Sequence, residues 1–210
     1  FSVNGINFSV NFINAIGRKI ASELLQFEDF SDLEKIEKLV RKIDKTPTWS
    51  LIGANALYAF EAALLKAIAA SYEQELWQFF CEKPKFIPMP LGNAIGGGKH
   101  VKQETKTDFQ EFLFLPKTKN FFDAYFMNMQ AYKITKQLLI EKDKRYDGKL
   151  TDENALATTL PNAEVLQIMK KTKQIVHDKF NVEMQIGIDA AASSFFRNDF
   201  YYYENPEKKV

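Results

Sequence analysis

The chain has 210 residues, with 28 basic and 27 acidic side chains, a formal net charge of +1 and 46% hydrophobic residues. That is a globular mixture rather than a disordered one, enough for one large domain or two small ones, and short of the about 250 residues a closed eight-stranded barrel with its helices usually takes. The balanced charge excludes recognition of nucleic acid or of an anionic membrane by bulk electrostatics, and the basic end at Lys208 and Lys209 is too short to form a stripe.

The first 80 or so residues are expected to be helical. After the turn signal Asn4-Gly5, apolar side chains recur at helical spacing through Val10, Ile13, Ile16, Ile20, Leu24 and Leu25. Ser31-Asp32-Leu33-Glu34 has the form of a capping box, and Leu33, Ile36, Leu39, Val40 and Ile43 continue as an apolar stripe until Thr46-Pro47-Thr48 breaks it. A third helix is expected over 55–80, rich in Ala and Leu. Glu61 and Lys66 are five apart and so give it no helix-turn ion pair; its stability must come from packing. The most apolar stretch in the chain runs from Ala54 to Ala70, but Asn55, Glu61 and Lys66 interrupt it, whereas a spanning helix needs about 20 residues with few charges. The lone cysteine, Cys81, has no partner for an internal disulfide. A reducing compartment, the cytoplasm, is therefore expected, with the thiol buried as a small hydrophobe. On that expectation the glycosylation pattern Asn7-Phe8-Ser9 carries no weight. No signal peptide is visible, and a start at Phe1 is that of a processed, trimmed or partial chain.

Lys83-Pro84-Lys85 marks the expected boundary, giving domains 1–84 and 85–210. Beyond it the pattern changes. Residues 86–95 are strand-like, but Pro88 and Pro90 lack ladder donors, so an edge or barrel-opening strand is expected. A glycine loop, Gly96-Gly97-Gly98, leads to a second strand over 109–115, ended by Pro116. An amphipathic helix over 121–142, the turn Asp147-Gly148, a helix through Val165, Ile168, Met169, Ile175 and Val176, a buried strand over 184–190 and a last strand at 201–203 complete the chain. Three helices are thus followed by strand, strand, helix, helix, strand. Two successive strands before the helices are unusual for a simple barrel.

Four places put polar or metal-capable groups beside strands. In Gly96-Gly97-Gly98-Lys99-His100 the backbone can approach a ligand closely, and Lys99 or His100 can meet an anion. It is not a Walker loop, because Asn93 and His100 stand where that pattern needs Gly and Ser or Thr. In Gln110-Glu111-Phe112, Glu111 either points into a low-dielectric site, where its raised pKa suits proton transfer, or faces solvent on an alternating strand. Asp152-Glu153 lies in the loop after the long helix, where adjacent acids are solvated, cap a helix or serve chemistry. Asp189, at the end of a short strand and followed by Ala190-Ala191-Ala192, either ligates a hard cation such as Mg²⁺ or caps a helix. His177 falls within a helix and is expected at the surface.

Taken jointly these blocks resemble the enolase (phosphopyruvate hydratase) family, in its archaeal-like or divergent form. Leu51-Ile52-Gly53-Ala54-Asn55-Ala56 is similar to the family's Lys-Leu-Gly-Ala-Asn-Ala. Pro88-Met89-Pro90 through Asn93, then Gly97-Gly98-Lys99-His100, resembles its Pro-x-Pro…Asn…Gly-Gly-x-His. Gln110-Glu111-Phe112 matches its Gln-Glu-Phe, and Ile186-Gly187-Ile188-Asp189 with Ala191, Ser193 and Phe195 resembles its Ile-Gly-x-Asp…Ala-x-Ser-x-Phe. The implied fold is α+β followed by α/β: the helical part of an N-terminal capping domain, then the ββααβ opening of an enolase-type TIM barrel, incomplete.

The resemblance implies a lyase that reversibly dehydrates 2-phosphoglycerate to phosphoenolpyruvate in glycolysis. Asp189 would ligate Mg²⁺, which offsets the charge of an enolate-like intermediate. Glu111 and Glu153 would handle the departing hydroxyl or incoming water. His100, with Lys99 and Gln110, would lie against the substrate, a small phosphorylated carboxylate. No nucleic acid or membrane partner is implied, and a homodimer is. The family's Asp-Glu-Gly-Gly stands here as Asp152-Glu153-Asn154-Ala155, which alters what that backbone can adopt. The family's N-terminal strands with their mobile Ser loop, two further Mg²⁺ carboxylates and the lysine base have no counterpart in these residues. These 210 residues alone are therefore expected to be inactive. The alternative is a catalytically inactive enolase-like structural or assembly protein. A superfamily member acting on another carboxylate is disfavoured by the Gln-Glu-Phe and Gly-Gly-x-His blocks.

Overall fold

The computed structural model describes residues 10, 11, 14, 17, 18, 32–81, 83–102 and 106–205. Val10, Asn11, Asn14, Gly17 and Arg18 are helical. The rest of the expected first stripe, the turn at Asn4-Gly5, the Asn7 pattern, Ser31 of the capping box and the basic end lie outside the described residues. The chain divides into two compact units, Phe1–Lys85 and Phe86–Val210.

In the first unit, α1 (Asp32–Ile43) is followed by α2 (Ala54–Ser71) and α3 (Leu76–Phe80). Ile36 and Val40 of α1 pack with Ile52 and Leu57, and Trp49, Phe60 and Leu64 close around them. The break after α1 is built by Asp44, which is fully buried and accepts from the backbone N–H of Thr46, Leu51 and Ile52 at 2.9, 3.0 and 2.9 Å and from the Thr46 hydroxyl. Arg41 stacks its guanidinium on Trp49 across the same turn. The single helix expected over 55–80 is two helices. Glu73 adopts a left-handed conformation, φ 56°, while the Gln74 N–H returns to the Ala69 carbonyl, so α2 stops at Ser71. Helix propensity carries no signal for such a turn, because Glu is a good helix former. In consequence Cys81, expected to be buried, sits exposed at the end of the short α3.

In the second unit a four-stranded sheet is ordered β3-β1-β2-β4, from β1 (Gly92–Gly96), β2 (Glu111–Pro116), β3 (Leu156–Ala157) and β4 (Met184–Asp189). β2 is antiparallel to both β1 and β4, and β3 is parallel to β1. Two long helices, α4 (Phe121–Lys142) and α5 (Asn162–Phe180), cover one face. Phe112 and Phe114 of β2 are buried there with Ile95, Leu139, Leu156, Val165, Met169 and Met184. The Thr135 and Thr172 hydroxyls, both fully buried, satisfy each other between the helices at 3.1 Å. α4 begins at Asn120, whose side chain accepts from the Asp123 N–H at 2.9 Å. α5 ends at left-handed Asn181.

The strand expected over 86–95 is regular only from Gly92. Phe86, Ile87 and Leu91, beside the two prolines, are exposed and unpaired in the sheet. The last strand is a two-residue arm, β6 (Phe200–Tyr201), paired with β5 (Phe196–Arg197) through left-handed Asn198 and Asp199, the backbone of a tight hairpin. Two-residue β3 has no counterpart among the expected elements, since neither period nor length marks so short a strand.

Candidate active site

The alternation along β2 decides where Glu111 points. Phe112, Phe114 and Pro116 face the helices, so Glu111, Leu113 and Leu115 face the other side of the sheet. Glu111 is paired directly with Gly96 of β1 on one side and with Asp189 of β4 on the other. Residues opposite each other in an antiparallel ladder present their side chains to the same face, so Glu111 and Asp189 stand side by side at one end of the sheet. Like charges in that position repel unless a cation or proton intervenes.

Two loops bring further groups to this end. Beyond β1, the Gly97 N–H donates to the Gln110 carbonyl and the Gly98 N–H to the Thr107 carbonyl, both at 2.9 Å, folding the Gly98–His100 turn back over β2. A Cβ on Gly97 would collide with Thr107 Cγ2 and with the Phe109 and Thr107 carbonyl oxygens, so only glycine fits. The second loop carries Asp152 and Glu153. Its spine is buried Thr151, whose hydroxyl accepts from the Glu153 and Ala155 N–H groups at 3.2 and 3.1 Å. Asn154, in place of the family's first glycine, is left-handed, φ 63°, a conformation asparagine tolerates better than most residues. Its carbonyl accepts from the Tyr132 hydroxyl of α4 at 3.1 Å. Ala155 is buried. The replaced glycines therefore leave a formed loop.

His100, Glu111 and Glu153 converge, with one ligand-capable atom of each within 4.8 Å of the others. His100 Nδ1 is 2.7 Å from Asp152 Oδ1 and 3.9 Å from Glu153 Oε1. The bond to Asp152 raises the imidazole pKa above its ordinary value; burial opposes this, and the charges of Asp152, Glu153 and Glu111 add to it. The Glu111 carboxyl is raised by burial first, then by the charge of Glu153, a hydrogen bond with Glu153 and the charge of Asp189, against the lowering effect of His100.

The remaining expected site residues are placed differently. One Asp189 oxygen accepts from the Ala191 N–H at 2.9 Å, a local turn, while its carboxylate neighbours Glu111 without joining the converging trio. Gln110 contributes through its main chain: its N–H donates to the Asp189 carbonyl at 3.0 Å and its carbonyl accepts from Gly97. Lys99 is exposed and lines, with His100, Lys102, Lys149 and Asp152, an adjoining cavity of about 520 Å³. His177 lies in α5, 3.3 Å from Glu183, and takes no part. Sequence reasoning missed Asn93, whose side-chain amide donates to Glu153 Oε2 at 3.2 Å. An amide inside a strand of small and apolar residues was the available signal.

The donor set, carboxylate-rich with one imidazole, fits a divalent cation: Glu111, Glu153, Asp189 and Asp152 crowd one end of the sheet, and among the described residues no lysine or arginine makes an ion pair with them.

Comparison with known proteins bears on the family of the chain. Residues 84–209 match the family model described as "Enolase, C-terminal TIM barrel domain", and residues 4–80 match "Enolase, N-terminal domain". The enolase of Methanosphaera stadtmanae is 35% identical over 189 residues, 88% of this chain and 45% of that protein. The enolase of Methanothermobacter thermautotrophicus is 34% identical over 193 residues, 91% and 46% of the two chains, and that of Ehrlichia ruminantium (strain Welgevonden) 32% over 204, 96% and 47%. The chain spans about half the length of the curated relatives it matches. Its sheet and helices are a partial TIM barrel following an N-terminal domain, and the chain belongs to the enolase family.

Proposed function

We propose that these residues supply the acid side of an enolase-type lyase site, for the reversible Mg²⁺-dependent dehydration of 2-phosphoglycerate to phosphoenolpyruvate in glycolysis. The convergence of His100, Glu111 and Glu153 carries this reading. In the forward direction the substrate loses a proton from C2 and hydroxide from C3. Glu111, holding a proton at neutral pH more readily than an ordinary carboxyl, donates it to the departing hydroxyl, which leaves as water. In the reverse direction Glu111 takes that proton back from the incoming water, while Glu153, kept in place by the Asn93 amide, lies against it and helps to orient the hydroxyl or water. His100, its ring oriented by Asp152, presents its other nitrogen to the substrate. Asp189 would hold Mg²⁺, with Glu111 and Glu153 adjoining; when bound, the ion offsets the second negative charge that proton loss places on the substrate carboxylate.

The lysine base and two further metal carboxylates are those the resemblance assigns outside these residues, so these 210 residues by themselves are expected not to turn over substrate. We place the protein in the cytoplasm, acting on a small phosphorylated carboxylate, as a homodimer and without nucleic acid or membrane partners. Among the described residues no helix is long and apolar enough to cross a membrane. The test is Mg²⁺-dependent growth of phosphoenolpyruvate absorbance with the entire encoded protein. Turnover abolished by chelation and restored by Mg²⁺ is the expected result. A folded protein that binds Mg²⁺ but never turns over would favour the inactive structural or assembly reading instead.

A further inference from the structure

The two loops that carry the site come from distant parts of the chain, and a third segment joins them. Asn205, just beyond the β5–β6 hairpin, uses its side-chain amide nitrogen twice. It donates to the Lys106 carbonyl at 3.0 Å and to the Thr159 carbonyl at 3.1 Å. Lys106 belongs to the segment between His100 and Glu111, and Thr159 to the segment that follows Glu153. Asn205 is itself gripped by Asp108, a buried carboxylate whose Oδ1 accepts from the Glu204 N–H at 2.6 Å and from the Asn205 N–H at 3.3 Å.

Each end of this tie is anchored. On one side, Asn162, at the start of α5, accepts with a single amide oxygen from the Thr107 hydroxyl at 2.6 Å and from the Asp108 and Phe109 N–H groups, both at 3.1 Å. That fixes the backbone two residues before Glu111. On the other, Asp143, at the end of α4, accepts from the Thr158 hydroxyl, the Thr159 N–H and the Thr159 hydroxyl at 2.7, 2.8 and 2.8 Å. This closes the base of the loop that carries Asp152 and Glu153.

We propose that Asn205 is a positioning residue: a brace whose one amide group holds the Glu111 loop and the Glu153 loop at a fixed separation, so that the arm beyond β6 sets the spacing of the acid pair. Only a side-chain amide does this. A carboxylate of the same shape has no hydrogen to give either carbonyl and would oppose both oxygens with charge. This inference deepens the acid-pair reading and rests on it for its chemical meaning, but not for its test.

The experiment is hydrogen exchange by mass spectrometry on the 210-residue chain, comparing wild type with Asn205→Asp and with the uncharged, shorter Asn205→Ser. Exchange in peptides spanning 106–111 and 151–160 is expected to rise together, by about tenfold, in both variants. The centre of β2 should keep its protection, which reports in the same sample that the sheet is folded. A change confined to 204–205, a change in one loop only, or no change overturns the brace. If one variant loses protection in β2 as well, the other decides.

A second arm measures Mg²⁺ binding by calorimetry. Binding weakened severalfold in both variants relative to wild type, at a temperature where all are folded, supports a positioning role, because simple destabilisation of a folded population would leave affinity unchanged. Affinity unchanged in both variants while both loops loosen overturns the claim that the brace sets the acid spacing. Absence of Mg²⁺ binding in the wild type would strike the metal reading, and the exchange result would then decide for or against the brace by itself.

Discussion

At the scale of the residue, Glu111 owes its chemistry to neighbours rather than to its own strand. Burial, Glu153 and Asp189 all favour its protonated form, and His100 alone opposes them. Glu111→Gln keeps the shape and removes the transferable proton. In the entire protein kcat is expected to fall about 100- to 1000-fold with a much smaller change in KM. Steady-state kinetics checks this; an equal loss in both constants would instead mark Glu111 as a binding group. The sign of the pH effect follows from the same surroundings. The acid form persists to higher pH than for an ordinary carboxyl, so dehydration should fall away on the alkaline side as Glu111 loses its proton, and the Gln variant should lack that limb.

At the scale of the element, the glycine run and the Thr151 loop show what a sequence can and cannot disclose. The helix over 121–142 and the strand ending at Asp189 were legible as elements, but not their burial: Phe122, Tyr125 and Met129 of the expected apolar stripe are exposed while Ala124, Met127 and Ala131 face the core, and only Met184 of the expected buried strand is buried. The side of the sheet that Glu111 faces was not legible either: that required the pairing of β2 with β1 and β4, which is non-local. Nor was the state of Asp152-Glu153-Asn154-Ala155 legible, since two lost glycines look like a damaged loop until Asn154 is seen at φ 63°. The site residues themselves were reached through joint resemblance, while Asn93, Thr151 and Asn205 act through one or two side-chain hydrogen bonds each, which no spacing announces.

The loop and the glycine run each carry stability predictions. Asn154→Gly should leave stability within about 0.5 kcal/mol, whereas Asn154→Ala should cost about 1 kcal/mol, because a Cβ without a compensating polar group strains the left-handed backbone. Urea midpoints on the chain distinguish them. Gly97→Ala should cost about 2–3 kcal/mol, since its Cβ meets backbone oxygens that cannot move aside. Gly96→Ala presses instead on the end of the Thr151 side chain, 2.5 Å away, and should displace the Glu153 loop more than it destabilises the sheet.

At the scale of the whole molecule, both units end a helix on a buried aspartate that gathers the turn behind it. Asp44 follows α1 and Asp143 follows α4. For each, burial alone would raise the carboxyl pKa, but the hydrogen bonds together outweigh it and bring the group below its ordinary value: Thr46, Ile52 and Leu51 at Asp44; Thr158, Thr159 and Arg145 at Asp143. A folded-state pKa below the unfolded one means that the unfolded chain binds the proton first as pH falls. The stabilisation is therefore complete above the unfolded carboxyl range and drains away as pH drops through the lowered folded value. Asp44→Asn and Asp143→Asn each remove one such group. Either variant should have a lower urea midpoint than wild type at pH 7, and the gap should narrow as pH is taken down through the ordinary carboxyl range, where the unfolded wild-type chain takes up protons that the folded aspartates still resist. A gap that stays constant with pH would mean that the amide loses shape complementarity rather than charge, and that these two turns are held by packing.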